Sequence, residues 1–572
     1  MSSLYIGSSG LQSSQNALNT TAHNLSNVDT EGYTRQQVQL SSRSYVTLSV
    51  DPKSVANKQY GLGVAYTNVK QVRDVFLDKA YRKESGRSMF YEVSTEALEE
   101  VESLLGETND NPFQTAITDL WTAAQELAKD PASAVTQDLF VQRAAELVER
   151  ASSVYEGLCS YQDNLNQRIK GQIDTVNQYG TLLVQLNERI RVIEAGGVEH
   201  ANDLKDARNQ ILDELAGMAN ISYSEDYFGN VSVQIEGVDF VKDNFCFEIG
   251  VQQDETTGFY TPFWPQNADY VIRPDGTKLY DIANAKVFPL NKEISSDLDT
   301  DVGGLKAMLL ARGDHRANYT DVAGGSYDLV SQSVVMNIQA EFDQLIHNIA
   351  TQVNQILADA AGPQTGDVVL ADGTVLTGVK YWVSEPDGYL RGADGSPLQL
   401  FSKNASEGYQ KAVGPNQEES WVYLEEDAAA ADSLYSLANL NINEELMRQP
   451  TKLSFRLEDG SEDKATAEAL KAAFTQEVYT LNPNVQKKTT FVDYYTDLIN
   501  QVATSGSVYR SIHENQQLTV ESTLSAREQI VGVSSDEELS SMIRFQSAYN
   551  ASSRYINVIS QMIEHIINTL GV

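Results

Sequence analysis

Cysteine is nearly missing from this chain. Its 572 residues hold two, Cys159 and Cys246, in what read as different domains, so a disulfide framework and a cysteine-rich metal site are both excluded. Histidine is almost as scarce: six copies are scattered, none beside a cysteine or another histidine, and His23 reads as an interface or surface residue rather than a ligand. No stretch reaches the roughly 18 continuous apolar residues that a membrane span needs. The first basic residue is Arg35, and no apolar segment follows a charged start, so a cleavable secretory signal is not expected. That pattern fits the cytoplasm, and equally fits export by a route that reads no cleaved signal. Basic residues are also in deficit, with 42 Lys plus Arg against 79 Asp plus Glu and a formal charge of −37. Such a surface favours solubility and repels nucleic acid and anionic membranes, so neither is an expected partner.

The templates of catalysis fail one by one. No Gly-Lys pair occurs, which removes a Walker-type phosphate loop, and no Gly-x-Ser-x-Gly elbow is present. Gly61 and Gly63 begin a dinucleotide-like run, but Tyr66 stands where the third glycine belongs. His513-Glu514 opens like a zinc-protease helix, yet Gln517 replaces the second histidine ligand. Asp297, Asp299 and Asp301 fail as an EF-hand, because Val302 replaces the turn glycine and Met308 the bidentate glutamate. They read as a solvated acidic turn, with a weak Ca²⁺ site as the alternative. No catalytic residue, cofactor or metal site is expected, and the chain does not read as an enzyme.

Helical periodicity is what the chain has instead. Leu4, Leu11, Leu18 and Leu25 fall on a seven-residue repeat, and Leu539, Met542, Ile543, Tyr549, Ile556, Ile559, Ile563, Ile566 and Leu570 form a second stripe at the far end. Such stripes are seams for partner helices. Burying each leucine contributes roughly 1.5–3 kcal/mol, whereas ordering the backbone costs about 1–2 kcal/mol per residue. The first segment is therefore expected to be disordered alone, and the two ends to zip together only inside a multi-copy tube.

Between the ends, residues 26–70 read as extended strands with a hairpin. Phe113, Ile117, Leu120, Ala124 and Leu127 step by four and three until Asp130-Pro131. A 4-3 pattern running from Phe140 through Leu158, Ile169 and Leu183 to Ile193 contains no proline over 132–195 and stops at Gly196-Gly197. It predicts a rod, either one helix of an ordinary bundle or, as its length favours, half of a coiled-coil-like pair. Alternation from Ile221 to about Phe288, and turn-rich sequence from Gly362-Pro363 to about 480, predict β-regions, with helices at 202–217, 327–359 and from Phe491 onward. Ser535 and Glu538 are placed to form a capping box on the last helix. The expected fold is α+β and multidomain, an elongated bundle of long coiled-coil-like helices from both halves with two inserted β-rich domains. Its parts are a terminal assembly domain (1–60 plus 530–572), a long helical bundle (61–218, 325–361 and 482–529) and β-rich insertions at 219–324 and 362–481.

The run Asn24-Leu25-Ser26-Asn27 followed by Thr30-Glu31-Gly32-Tyr33-Thr34-Arg35-Gln36 resembles the N-terminal signature of bacterial flagellar axial proteins, with Glu31 where proline is usual. The run Phe545-Gln546-Ser547-Ala548-Tyr549-Asn550-Ala551 is similar to the C-terminal half of that signature. Asn202 to Arg208 and Gly303-Gly304-Leu305 are similar to internal features of the hook-associated group. The resemblance implies a structural junction adaptor between hook and filament, exported unfolded to an extracellular position. Another hook-associated or hook-type subunit, an adhesin using the outer β-region, and a hydrolase carried on the same scaffold are the alternatives. It further implies as partners other copies of the chain, the hook protein, hook-associated protein 3, an export chaperone and the type III export apparatus. The residues implied are Asn24, Asn27, Gly32, Tyr33, Arg35 and Gln36 for the motif. Subunit packing falls to Leu4, Leu11, Leu18, Leu25, Met542, Ile543, Gln546, Tyr549, Ile556, Ile563 and Leu570.

Overall fold

A computed structural model describes residues 2–49, 58–106, 112–196, 199–274, 276–323, 327–457 and 459–570. Helix α1 (Ser2–Ser26) is followed by strands β1 (Gln36–Ser42), β2 (Val46–Ser49), β3 (Lys58–Tyr60) and β4 (Val64–Gln71). β1 pairs antiparallel with β4, and β2 with β3. Helix α2 (Val75–Leu105) starts where the Asp74 carboxylate accepts the Phe76 and Leu77 N–H groups, and ends at Gly106, whose φ of 74° suits glycine. α3 (Phe113–Lys129) stops before Asp130-Pro131, and α4 runs unbroken over Ala134–Glu194. At ~1.5 Å per residue α4 is a rod of roughly 90 Å. Gly197, read as part of its stop signal, lies outside the described residues.

After α5 (Asn202–Met218) come β5 (Ile221–Glu225), β6 (Val231–Ile235), β7 (Val238–Lys242) and β8 (Phe245–Cys246), an antiparallel meander in chain order. Val231, Val233 and Ile235 bury one face of β6, as their alternation predicts. Two hairpins follow, β9 (Gly250–Gln253) with β10 (Tyr260–Phe263) and β11 (Asp269–Ile272) with β12 (Lys278–Asp281). The chain then returns to helix: α6 (Gly304–Arg312), wholly buried against α2 and α4, then α7 (Tyr319–Ala323), α8 (Tyr327–Val330) and α9 (Val334–Ala360). The outer β-region closes β13 (Gln364–Leu370), β14 (Val375–Val383), β16 (Tyr409–Val413) and β17 (Glu419–Tyr423) into a small barrel, while β15 (Phe401–Lys403) pairs with β18 (Leu440–Ile442). Helices α10 (Glu444–Arg448) and α11 (Lys464–Ala473) lead to α12 (Phe491–Val531) and α13 (Ser535–Leu570).

Two cores share the rod. Phe140, Leu147 and Leu158 of α4 pack in one with α3, α9, the outer β-region and the start of α12. Leu165, Ile169, Ile173, Val176 and Leu183 pack in the other with α2, α5, α6 and the meander. The seam of α4 is thus covered by a succession of short elements, and the long side-by-side helices are α2 with α12 and α1 with α13. Each buried Leu or Ile contributes roughly 1.5–3 kcal/mol, so the rod is held by the body it crosses rather than by one long partner.

Three sequence expectations are corrected. The end helices α1 and α13 lie together within the single chain, so their meeting does not wait for neighbouring copies. Gly7 and Gly10 allow the approach: a Cβ at Gly7 would sit 2.6 Å from Ile556 Cγ1, and one at Gly10 2.8 Å from Ser552 Oγ. Asp301 is fully buried rather than solvated, accepting from Arg87 Nε (3.1 Å), Tyr91 OH (3.1 Å) and Ser296 Oγ (2.6 Å), while Asp299 pairs with Lys83 and Arg87. The cations that draw this turn inward sit on α2, more than two hundred residues earlier. Finally, α13 begins at Ser535 with the Glu538 N–H bonded to the Ser534 carbonyl, and the Glu538 side chain faces Arg35 instead of closing a capping box.

Candidate functional site

The N-terminal motif forms a joint where the terminal helices meet the body. Asn24, on the last turns of α1, is buried, and its amide acts as a strand partner for Gln36: Nδ2 donates to the Gln36 carbonyl (2.8 Å) and Oδ1 accepts the Gln36 N–H (3.0 Å). The same oxygen accepts the Tyr33 hydroxyl (2.8 Å). Burial and the nearby carboxylates of Asp206, Asp203 and Glu538 keep that phenol protonated. Asn27 donates to the His23 carbonyl and accepts from Thr30, which closes the end of the helix. The reversal Thr30-Glu31-Gly32-Tyr33 forms without proline: the Tyr33 N–H reaches the Thr30 carbonyl (3.2 Å), and Gly32 supplies the positive φ of 76°.

Arg35 connects three elements. Its N–H donates to the Val531 carbonyl at the end of α12 (2.9 Å), and its carbonyl accepts the Val72 N–H ahead of α2 (2.9 Å). Its guanidinium grips the first turn of α13, with Nη1 2.9 Å from Glu537 and Nε 2.8 Å from Glu538. The Glu538 side chain is 4% exposed, so Arg35 neutralises a carboxylate taken out of water. Gln36 reaches Asp203 of α5 at 3.4 Å.

The 202–208 segment becomes intelligible from this joint. Asp206 accepts the Thr34 N–H (3.3 Å) and the Gln71 amide (2.8 Å), and burial pushes its carboxyl up to about 6. Arg208, 2% exposed, points the other way to Asn187 on α4 and the Gly229 carbonyl. Behind them runs an ionic chain: Arg73 is bidentate on Asp78, Arg527 bridges Asp78 (3.3 Å) and Asp213 (2.7 Å), and Arg82 closes on Asp213 (2.6 Å). The joint therefore ties α2, α5, α12 and α13 together with charge-assisted bonds and holds α1 through the neutral bonds of Asn24. Among the described residues no group of three or more His, Cys, Asp or Glu could hold a metal, and no helix is long and apolar enough to cross a membrane.

The expected packing residues are distributed differently. Leu4, Leu11, Leu18 and Leu25 are only half-buried. The buried positions of α1 include Gly7, Ser14, Ala17, Thr21 and Asn24, a seam of small and polar residues that the leucine repeat hides. With Gly10 these fall at three- and four-residue steps, a signal the sequence carries without apolar bulk. On α13, Ile556 faces Gly7, and Met542, Tyr549 and Ile563 are half-buried. Ile543 and Gln546 are exposed, and the Leu570 side chain lies outside the described residues. Tyr555, Val558, Met562 and Ile566 add an exposed apolar stripe along the last turns.

Comparison with known proteins agrees with this anatomy. A family model described as the flagellar hook-associated protein FlgK helical domain matches residues 98–367. A flagella basal body rod protein model matches residues 4–34, and a flagellar basal body rod FlgEFG protein C-terminal model matches residues 528–569. Flagellar hook-associated protein 1 of Bacillus subtilis is 24% identical over 564 residues, covering 98% of this chain and 97% of that protein. Its namesakes in Salmonella typhimurium and Escherichia coli are each 22% identical, with 98% of both chains covered. The solved structure of the flagellar hook junction protein FlgK from Burkholderia pseudomallei is 15% identical, with a TM-score of 0.46 over 80% of this chain and all of that one. With family matches at both ends and through the middle, and with relatives spanning nearly its full length, the chain is similar to the flagellar rod and hook axial proteins, and to hook-associated protein 1 in particular.

Proposed function

We propose that this chain is a structural component of the bacterial flagellum, a junction adaptor that connects the hook to the filament and is needed for filament assembly. The observation that carries the proposal is the terminal pair: α1 and α13 are clamped to the body through Arg35, yet α13 keeps Tyr555, Val558, Met562 and Ile566 exposed. An apolar stripe of this kind on a soluble protein fits a surface that other subunits complete. In this reading residues 1–60 and 530–572 form a coiled-coil-like wall of a ring of identical copies. The helical body and the two β-rich insertions, 219–324 and 362–481, lie outside that wall. The partners are the hook protein on one side and hook-associated protein 3 on the other, with an export chaperone and the type III export apparatus before assembly. The mature position is extracellular, reached without a cleaved signal, and the role involves no catalysis.

A strain lacking the gene tests this. It is expected to build hooks, carry no filaments and release flagellin monomers into the medium; normal filaments in that strain would refute the proposal. Complementation with Met562→Gln, Ile566→Gln should leave the purified chain folded and still fail to restore filaments.

A further inference from the structure

In a chain this acidic, one small cavity is cationic. It measures about 220 Å³ and lies between the first turns of α2 and strand β5. Its walls bring together Lys79, Arg82, Lys83, Asn220, Tyr223 and Asp299, so three cations face one carboxylate. That carboxylate is already engaged, with Lys83 at 2.8 Å and Arg87 at 3.0 Å. Arg82 is 3% exposed, with Asp213 holding its Nε and Asn209 its Nη2. The guanidinium lies 4.5 Å from the centre of the Tyr223 ring, and the Arg82 and Tyr223 side chains bond to each other. Lys79 stands exposed 5.8 Å from the same ring, with no carboxylate in ion-pair reach among the described residues. Arg82 and Lys83 thus have their acids, Lys79 is the cation of this cavity without one among the described residues, and a carboxylate supplies it.

We propose that this cavity receives an aspartate or glutamate carboxylate of a second copy of the chain. The inference rests on the reading of the chain as a subunit that assembles with its own copies. Size favours a side chain: clefts for free organic ligands run to about 300–1,000 Å³. Next to Lys79 on the same helix, Phe76 is 77% exposed and Val75 60% exposed, so an acidic side chain flanked by apolar neighbours finds contact outside the cavity as well. Charge complementarity selects the occupant. Each copy carries −37, every neighbour presents carboxylates, and like-charged copies associate through places where that charge is neutralised.

The test is zero-length carbodiimide coupling of the full-length chain, once as dilute monomer and once in isolated flagella grown from two isotopically distinct populations of the chain. The expected result is an amide bond between Lys79 Nζ and an Asp or Glu of the other isotopic population, present in flagella and absent from the monomer. Lys79→Glu should lower filament number by roughly tenfold or more with the melting temperature of the monomer unchanged, and Lys79→Arg should restore it. Lys79 linked only within its own chain, or unlinked while other lysines join copies, overturns the proposal. So does protection of Lys79 from acetylation by inorganic phosphate in the monomer without any link between copies, which marks a free-anion site. Absence of the chain from the isolated flagella refutes the functional reading itself, a failure distinct from assembled but unlinked Lys79.

Discussion

The rod α4 and the terminal pair α1–α13 carry apolar patterns of similar period, and they end in opposite states. Phe140, Leu147, Leu158, Leu165, Ile169 and Leu183 of α4 are all sealed from solvent by the body. On α13, Ile543 is 64% exposed, Met562 56% and Ile566 53%. The rod meets a covering element along its stripe as far as Ile190, with Ile193 at its end 40% exposed, whereas α13 meets one narrow helix whose buried surface is made of small and polar residues. A periodic stripe thus specifies that a helix has a face to hide and leaves open what hides it. In the body the answer is the same chain; at the ends the chain supplies only part of one.

The sharpest way to break this contrast is at Arg35. Arg35→Ala leaves Glu538 buried without its cation, a change that costs about 3–5 kcal/mol for a buried pair. The loss should be local: amide exchange is expected to accelerate across Ser2–Ser26 and Ser535–Leu570 while Ala134–Glu194 stays protected. Equal loss of protection in α4 would show that body and ends fold as one unit. A smaller effect is expected from Gly7→Val, which drives a side chain into Ile556 and should destabilise the terminal pair by about 1–3 kcal/mol, read by the same exchange experiment.

The body has its own sensitivity, and it separates the regions by pH. Asp343 of α9 is fully buried, accepts the Leu437 and Tyr319 N–H groups, and faces the carboxylates of Asp321 and Glu426; burial pushes it up to about 7. Asp206 at the joint is pushed up to about 6. Both are acids raised above their unfolded value near 3.9. Their contribution is present below that value and is lost as pH rises through about 6 and then about 7, because the unfolded chain releases the proton first. Melting of the body should therefore fall between pH 4 and pH 7 and level off above, and Asp343→Asn should flatten the upper part of that slope. A rising slope over this interval would contradict the upward push that burial gives Asp343.

Much of the body was legible because its signals are local. The proline-free 4-3 run yields α4, Asp130-Pro131 ends α3, and the alternation Val231, Val233, Ile235 marks a half-buried strand. At the joint the motif residues stood out, but their partners did not. Arg35 and Glu538 are 503 positions apart, and the local reading of Glu538 as a capping residue was the stronger one available. Asp301 looked solvated for the same reason, since nothing near it in sequence announces Arg87. Within the chain, the close approach of α1 to α13 is made by what is absent at Gly7 and Gly10, which a hydrophobic count dominated by leucines does not register.

Sequence alone determined the unbroken rod α4, the end of α3 before Asp130-Pro131, the half-buried strand at Val231–Ile235 and the acidic character of the chain, all of which follow from backbone preference and charge over short windows. Tertiary structure decided which stripe is covered, which carboxylates find a cation and where three cations are left facing one acid. Those outcomes depend on elements hundreds of residues apart sharing one low-dielectric interior, where a pairing is settled by geometry and not by spacing along the chain.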